Sequence, residues 1–255
     1  MLIKECVAVV TGGASGLGEA VVRSLCSLGA RVAIFDVAVE RGERLAAEVG
    51  AHGLFVPSDV TSDESSRAAM ERVVAAFGAI NVAVNCAGVA DPGKVLSKKG
   101  PLPLDSYNRV IQINLVGTFN IIRLAVEQMV KNAPNGEGEK GVIINTASAA
   151  AFDGQIGQPA YSASKAGVVG MTLPIARECA EYGIRVMTIA PGLFDTPMMA
   201  GLPESVRVQL AQSAPFPKRL GRPAEFAALV GHIIENQMLN GECIRLDGAV
   251  RMTAR

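Results

Sequence analysis

Short apolar runs alternate along this chain with longer stretches in which apolar residues recur at helical spacing. Nearly every residue in the short runs is apolar, a pattern typical of parallel strands that are covered on both faces. The predicted strands are Val7–Thr11, Val32–Asp36, Leu54–Pro57, Ala79–Asn85, Val142–Thr146, Val186–Ala190 and Cys243–Leu246. The predicted helices are residues 17–28, 38–49, 63–77, 105–131, 159–181 and 223–236. This alternation predicts an α/β fold with a doubly wound parallel sheet of seven strands, which binds its ligand at the carboxyl ends of the strands.

Two polar stretches depart from the alternation. Residues 91–104 are rich in Pro, Gly and Lys and are predicted to form an insertion loop. Residues 132–140 are predicted to form a polar surface turn. Neither stretch has the length or composition of a linker, and no internal repeat is visible, so residues 1–255 are predicted to form a single domain.

A third stretch, residues 191–217, is bounded by prolines and carries the apolar side chains of Met198, Met199 and Leu202. We interpret it as a short helical lid over a pocket. The alternative is that these three side chains belong to the core side of an ordinary helix. A methionine-rich surface adapts to varied shapes, so the lid interpretation suits an apolar substrate.

Charge and composition narrow the possible functions. The 24 basic and 24 acidic residues balance, so we expect no nucleic-acid partner. No uninterrupted apolar run approaches the length of about 18 residues that a membrane span needs. The five cysteines are scattered and the two histidines are not clustered, which favours reduced thiols and no metal site. Because the first residues run straight into the first strand, we expect no signal or transit peptide and a cytoplasmic location.

A glycine-rich segment, TGGASGLG, follows the first predicted strand and precedes the first predicted helix. Gly12, Gly16 and Gly18 allow a tight turn and a close approach of the backbone to phosphate. Ser15 lies between them, and the helix that starts near Leu17 directs free N–H groups at an anion. The order strand, loop, helix, strand predicts a dinucleotide site in a Rossmann-like fold. The alternative is a glycine-rich turn that binds nothing.

Asp36 ends the second predicted strand, about 20 residues after the loop, where a carboxylate accepts hydrogen bonds from the adenosine ribose. The same carboxylate would repel a 2′-phosphate, and neither Ser15 nor Val37 supplies a compensating cation. The cofactor predicted from these residues is therefore NAD rather than NADP. The alternative is that Asp36 is an ordinary solvated residue at a strand end.

Tyr161 and Lys165 lie four residues apart in YSASK and share one face of a predicted helix. A Tyr hydroxyl titrates near pH 10, and a nearby ammonium together with the positive nicotinamide ring should lower that pKa. Ser148 follows the strand GVIINTA and could hold a substrate oxygen against Tyr161. The three residues predict proton transfer to or from an alcohol or ketone.

Together with the Asp59–Val60 pair, NCAG at 85–88 and PG at 191–192, these motifs resemble the short-chain dehydrogenase/reductase family over essentially the whole chain. The resemblance implies that Ser148, Tyr161 and Lys165 are catalytic and that Asn114 supports a water-linked proton relay to the lysine. It also implies that Asp59 and Val60 hold the adenine and that Cys86, Ala87 and Gly88 bind the cofactor. The family usually has Asn where Cys86 stands, so only a backbone role can be retained there.

Longer segments, including GQIGQPAYSASKAG and IAPGLFDTPMM, resemble the type-2 3-hydroxyacyl-CoA dehydrogenases, which also act on hydroxysteroids. The resemblance implies that Gln155 joins Ser148 at the substrate oxygen and that Phe194 and Thr196 contact the nicotinamide end of NAD. Asp195 replaces a Gly of these relatives and could narrow the acyl pocket.

The resemblance implies NAD-dependent oxidation of (S)-3-hydroxyacyl-CoA esters by a homotetramer. Two alternatives stay open, a hydroxysteroid or other secondary-alcohol dehydrogenase of the same fold, and a dinucleotide-binding scaffold without turnover.

Overall fold

A computed structural model describes residues 1–201 and 203–254, and in this part of the chain seven parallel strands form one sheet. The strands are β1 Val7–Thr11, β2 Arg31–Asp36, β3 Gly53–Pro57, β4 Val82–Asn85, β7 Gly141–Thr146, β8 Ile184–Pro191 and β9 Cys243–Leu246. A separate antiparallel hairpin consists of β5 Leu96–Ser97 and β6 Gly100–Pro101. The order in the sheet is β3-β2-β1-β4-β7-β8-β9, which confirms the predicted doubly wound fold.

Helices cover both faces of the sheet. They are α1 Gly16–Ser27, α2 Val39–Val49, α3 Asp63–Phe77, α4 Leu104–Ile111, α5 Gly117–Met129, α6 Pro159–Cys179, α7 Pro197–Ala200, α8 Glu204–Ser213 and α9 Pro223–Glu235. Buried side chains of α1, α2 and α9 form one core with the sheet, and those of α3, α5 and α6 form a second core on the opposite face.

Strand β1 shows why the predicted strands are apolar throughout. Ala8 and Val10 pack into the first core, whereas Val7 and Val9 pack into the second. All four side chains are at most 1% exposed. A parallel strand between two helical layers has no solvent face, so it lacks the alternation of an exposed strand.

The predicted strand 79–85 begins three residues later in the structure, at Val82. Gly78 ends α3 in the left-handed conformation, and Asn81 then pairs with the start of β1. The Asn81 side-chain oxygen accepts a hydrogen bond from Val7 N at 3.0 Å. Residues 79–81 carry no charge and so resemble strand residues in the sequence. In the structure they form the connection between α3 and β4.

The predicted helix 105–131 is helical over Leu104–Met129, with a π-helical turn at Gln112–Val116 between α4 and α5. By length and composition alone, this 26-residue segment is the one described helix that could cross a membrane. Half of its most apolar window is buried inside the protein, where α5 packs against the sheet. The buried half of its apolar surface therefore belongs to the core, while Val116 and Phe119 remain exposed.

The predicted loop 91–104 has more structure than the sequence indicates, because it contains the β5–β6 hairpin. In the predicted lid, Pro197–Ala200 form α7 and Glu204–Ser213 form α8, and Leu202 lies outside the described residues. The predicted surface turn at 132–140 contains a buried carboxylate, Glu139, which is 7% exposed. The rest of the predicted turn is observed, with residues 133–138 exposed, and only the Glu139 side chain turns inward.

Glu139 is buried because Arg185 of β8 pairs with it, with Nη2 and Oε1 2.7 Å apart. Arg185 also donates hydrogen bonds to backbone carbonyls that follow or end α9, those of Ile233, Ile234, Asn236 and Leu239. Burial by itself raises the pKa of Glu139, but the hydrogen bond from Gln237 and the Arg185 guanidinium outweigh burial and lower it. This cluster joins β8, the turn and α9 at the end of the sheet opposite the strands' carboxyl ends.

We expect Arg185→Ala to lower the free energy of unfolding by about 3 kcal/mol or more, because it leaves a buried carboxylate without its guanidinium partner. Urea unfolding measures this loss. The matched control is Arg67→Ala, which breaks the exposed Arg67–Glu127 pair at 2.9 Å and should cost less than about 1 kcal/mol. Equal losses in the two variants would contradict a stabilising role for the buried cluster.

Candidate active site

A cleft of about 860 Å³ lies at the carboxyl ends of the strands, where β1 and β4 are neighbours and the strand order reverses. Open α/β sheets bind ligands at this topological switch point. The walls of the cleft contain most of the site residues predicted from sequence, namely Gly12, Ser15, Gly16, Leu17, Gly18, Asp36, Asp59, Val60, Cys86, Ala87, Gly88, Ser148, Tyr161, Lys165, Phe194 and Thr196.

Glycine is required in the loop between β1 and α1 because the backbone passes other groups closely. Gly12 has φ +61°, and a Cβ there would lie 2.8 Å from Ala87 N. A Cβ on Gly18 would overlap the carbonyl of Gly12. Gly16 has φ +57° and lies against Thr196 and the start of α7. The loop is thus shaped for a close approach of phosphate to backbone.

The N-terminus of α1 faces the same cleft. Ser15 is its N-cap residue, in extended conformation, and its side chain makes no capping hydrogen bond. The first-turn N–H groups of a helix have no partner within the helix and favour an anion. With Leu17 and Gly18 in the cleft wall, the loop and helix fit the pyrophosphate of a dinucleotide.

Asp36 lies where β2 ends, and backbone groups fix its carboxylate. Its Oδ2 accepts a hydrogen bond from Ala14 N at 3.0 Å and its Oδ1 accepts one from Ala38 N at 2.9 Å. Arg41, an exposed residue of α2, lines the same part of the cleft. Sequence reasoning missed this cation, because it considered only the loop and the residue after Asp36. A basic residue about one helical turn after Asp36 was the sequence signal that could have found it.

Asp59 and Val60 follow β3 at the neighbouring edge of the cleft. The Oδ1 of Asp59 accepts hydrogen bonds from Thr61 N at 2.9 Å and from Thr61 Oγ1 at 2.7 Å. Val60 is 8% exposed and packs in the second core. A fixed carboxylate beside an apolar side chain can bind the edge and the face of an adenine ring.

The NCAG segment is held by its backbone. Thr11, which sequence reasoning did not single out, accepts hydrogen bonds through Oγ1 from Cys86 N at 3.2 Å and Ala87 N at 3.1 Å. The Cys86 thiol accepts one from Thr146 Oγ1 at 3.6 Å, and burial raises its pKa to about 11. The thiol is therefore neutral, and Cys in place of Asn leaves the backbone position intact.

Tyr161 and Lys165 lie on α6, and Ser148 follows the end of β7. The Lys165 ammonium is buried, donates to the Thr146 carbonyl at 2.8 Å and lies 5.8 Å from the centre of the Tyr161 ring. The Ser148 Oγ accepts a hydrogen bond from Ala150 N at 3.1 Å. These contacts hold all three functional groups at the same wall of the cleft.

Burial dominates the protonation of this group. It raises the pKa of Tyr161 above its ordinary value, and the hydrogen bond with Ser148 opposes the shift. Burial also lowers the pKa of Lys165 to about 8. The sequence-based expectation for Tyr161 counted the charges of Lys165 and of a nicotinamide ring, whereas burial acts on its pKa in the opposite direction. At neutral pH Tyr161 is a phenol and most of Lys165 is an ammonium.

Asn114 is fully buried in the π-helical turn rather than in the cleft wall. Its Oδ1 accepts a hydrogen bond from Val89 N at 2.8 Å, and its Nδ2 donates to Val89 O at 2.9 Å and to Ser164 Oγ at 3.1 Å. A Cβ on Gly88 would lie 3.2 Å from Asn114 Oδ1 and 3.5 Å from Lys165 Nζ. Asn114 and Lys165 thus approach the same glycine.

Gln155 is not among the residues that line the cleft. Its Nε2 donates to the backbone carbonyl of Thr253 at 3.1 Å, and its backbone N–H donates to Gln158 Oε1 at 3.1 Å. Gln158 and Met252 line the cleft, and sequence reasoning did not single out either of them.

The segment after β8 covers the cleft from the opposite side. Phe194 is 6% exposed, and Met198 and Met199 of α7 also line the cleft. Asp195 points elsewhere, because its Oδ1 accepts a hydrogen bond from Arg207 of α8 at 2.8 Å. This pair links α8 to the chain that precedes α7. The residues described contain no group of three or more His, Cys, Asp or Glu side chains that could hold a metal ion.

A glycine-shaped anion site that shares one cleft with Ser148, Tyr161 and Lys165 defines a dinucleotide-dependent oxidoreductase. The family model for the short chain dehydrogenases matches residues 6–207. The 3-hydroxyacyl-CoA dehydrogenase type-2 of Drosophila melanogaster is 55% identical over 253 residues, which cover 98% of this chain and 99% of the relative. The human protein of the same name is 55% identical over 252 residues, with 98% and 97% covered.

Among solved structures, the crystal structure of 3-hydroxyacyl-CoA dehydrogenase type-2 from Mycobacterium avium matches with a TM-score of 0.95. Its sequence is 42% identical to this chain, and the match covers 99% of this chain and 98% of the crystallised one. The chain therefore belongs to the short-chain dehydrogenase family. The dinucleotide that fits the cleft is a nicotinamide cofactor, and the substrate is a small molecule.

We expect alcohol oxidation to become faster as the pH rises through neutrality. Tyr161 must lose its proton before it can accept one, and burial raises its pKa. The kcat/KM for oxidation should climb by up to about tenfold per pH unit and flatten above about pH 8, where Lys165 loses its charge, while reduction, which uses the phenol, should not climb. Initial rates in both directions from pH 6 to 10 measure this difference.

Tyr161→Phe tests whether this residue causes the profile. It should lower kcat at least about 10²-fold at every pH and leave the dissociation constant of the dinucleotide unchanged. Tyr182→Phe, at an exposed residue before β8, is the matched control and should keep the wild-type profile. A flat wild-type profile, or a Tyr161→Phe enzyme with more than about a tenth of the wild-type kcat, would refute the role.

Proposed function

We propose that this protein catalyses the NAD-dependent oxidation of (S)-3-hydroxyacyl-CoA esters to 3-oxoacyl-CoA esters. The observation that carries the proposal is one continuous cleft, in which Asp36 and the glycine loop occupy one end and Ser148 and Tyr161 the other. Two relatives that are 55% identical over nearly their whole length carry the name 3-hydroxyacyl-CoA dehydrogenase type-2.

The side chains of the site can perform the proton chemistry of this reaction. Bound NAD would accept the hydride from C3 of the substrate. Ser148 would orient the substrate hydroxyl, and Tyr161 as phenolate would take its proton. The Lys165 ammonium stabilises the phenolate and can bind the nicotinamide ribose. We assign to Asn114 the support of a water-linked proton path to Lys165, since both approach Gly88.

The substrate end of the cleft suits an acyl chain. Met198, Met199 and Met252 line it with flexible apolar side chains, which adapt to groups of different length. A steroid or a small secondary alcohol would use the same proton chemistry, and so the substrate class is decided by what these walls accept.

We also propose a homotetramer. Val116, Phe119 and Leu173 expose 41 to 49% of their surface on the outer sides of the π-helical turn, α5 and α6. Exposed apolar side chains on neighbouring helices favour burial against another copy of the chain.

The choice of NAD over NADP should depend on Asp36. Its carboxylate would repel a 2′-phosphate, although Arg41 lies close enough to line the same part of the cleft. Asp36→Ala should shift the ratio of kcat/KM for NAD and NADP toward NADP by at least about tenfold, the equivalent of one charge-assisted hydrogen bond.

Arg41→Ala in the Asp36→Ala background should remove that gain, because Arg41 is then the cation that binds the phosphate. Arg44→Ala in the same background is the matched control, on the same helix but outside the cleft wall. A wild-type enzyme that prefers NADP, or an unchanged ratio in Asp36→Ala, would overturn the assignment.

The substrate assignment is tested by NADH formation with 3-hydroxyacyl-CoA esters of increasing chain length, hydroxysteroids and simple secondary alcohols. We expect kcat/KM for the acyl-CoA series to rise about fourfold per methylene, from about 0.8 kcal/mol per buried CH₂, until the cleft is filled. Turnover of a steroid or small alcohol without any turnover of acyl-CoA esters would replace this function with that of a generic secondary-alcohol dehydrogenase.

A further inference from the structure

The chain after β9 turns back toward the catalytic residues. Ala249 has φ +63°, the one described residue other than Gly in the left-handed region, and Val250 is then buried to 2% exposure. Arg245 donates to the Val250 carbonyl at 3.0 Å and pairs with Asp153 at 2.6 Å. These contacts fix the position of Val250, the first residue of the segment 250–254.

The 250–254 segment then lies along the loop that joins Ser148 to Tyr161. Gln155 Nε2 donates to the Thr253 carbonyl at 3.1 Å. The backbone N–H of Ile156 donates to the Ala254 carbonyl at 3.0 Å. One side-chain bond and one backbone bond thus hold the segment after Met252 against the loop.

Met252 lies between the buried Val250 and these two hydrogen bonds, and it lines the cleft together with Ser148 and Tyr161. It belongs to a different part of the chain from Met198 and Met199 of α7. The substrate end of the cleft is therefore bounded by a segment whose position depends on Gln155.

We propose that Met252 determines substrate specificity by limiting the size of the group beyond the carbinol carbon, and that Gln155 is a positioning residue that holds the 250–254 segment. This inference deepens the proposed function, since it concerns how the same site selects its substrate. It differs from the sequence-based expectation that Gln155 binds the substrate oxygen.

The two roles of Gln155 make different predictions for an isosteric change. Gln155→Glu replaces the donor Nε2 with an oxygen that faces the Thr253 carbonyl, so the hydrogen bond becomes a repulsion. If Gln155 positions the segment, the variant releases Met252 from the cleft and acts like Met252→Ala. If Gln155 binds the substrate oxygen, the variant weakens every substrate equally.

The experiment compares the wild type, Met252→Ala, Gln155→Glu and the double variant across a homologous series of substrates. We expect Met252→Ala to move the optimum to longer chains and change the ratio of kcat/KM for the longest and shortest substrates by roughly fourfold per methylene that reaches position 252. Gln155→Glu should give the same direction of change. The double variant should add little to either single variant, because both substitutions remove the Met252 side chain from the cleft wall. The KM for NAD should stay the same in all three variants.

Amide hydrogen exchange supplies a readout without substrate. Gln155→Glu should speed exchange of the Ile156 amide, whose acceptor is Ala254 O, whereas Met252→Ala should leave that amide protected. Met238→Ala, at a residue 92% exposed beyond α9, is the matched control and should change neither exchange nor the chain-length profile.

Equal losses for all substrates with Gln155→Glu, additive effects in the double variant, or unchanged exchange at Ile156 would each overturn the positioning role. An unchanged chain-length profile in Met252→Ala would overturn the specificity role. If acyl-CoA esters are not oxidised, the same comparison is made with a homologous series of the alcohols that are. A failed substrate assignment is thereby distinguished from a failed inference about Gln155 and Met252.

Discussion

The close approach of two backbone segments at the carboxyl end of β1 is the constraint on which this site depends. A side chain at Gly12 would meet the backbone of Ala87, and one at Gly18 would overlap the Gly12 carbonyl. Because both positions are glycine, the loop and the start of α1 can approach the phosphates of a dinucleotide closely. The same approach brings the segment after β4 beside the loop, where Thr11 holds it by two hydrogen bonds.

From this point the site is assembled mainly by bonds from side chains to backbone. Lys165 is anchored to the Thr146 carbonyl, Asn114 to both backbone groups of Val89, and Asp36 to Ala14 N and Ala38 N. Thr146 ends β7 and the other backbone partners lie in the loops that follow β1, β2 and β4, so each functional group is held by hydrogen bonds that need no ligand. Such preorganisation lowers the cost of aligning reacting groups.

The wall of the cleft that meets the substrate is built differently. It comes from α7 and from residues 250–254, which carry methionine side chains at the cleft. A rigid cofactor and proton-transfer site is thus combined with an adaptable substrate wall. This division suits a family in which one reaction is applied to alcohols of different shape.

The sequence predicted most of the fold, because strand and helix periods are local and a parallel strand buried on both faces is apolar throughout. It also predicted the glycine loop, which lies between one strand and one helix, and the pair Tyr161 and Lys165, whose four-residue spacing places them on one face of α6. Ser148 was predicted from its place just after a strand. Three features needed the tertiary structure. Met252 enters the cleft through long-range packing, Gln155 meets Thr253 across 98 residues of chain, and burial shifts the pKa values of Tyr161 and Lys165. The sequence by itself determined which chemical groups are present and in which elements. Only the tertiary structure decided their neighbours and their exposure to water, because both depend on contacts between residues far apart in the chain.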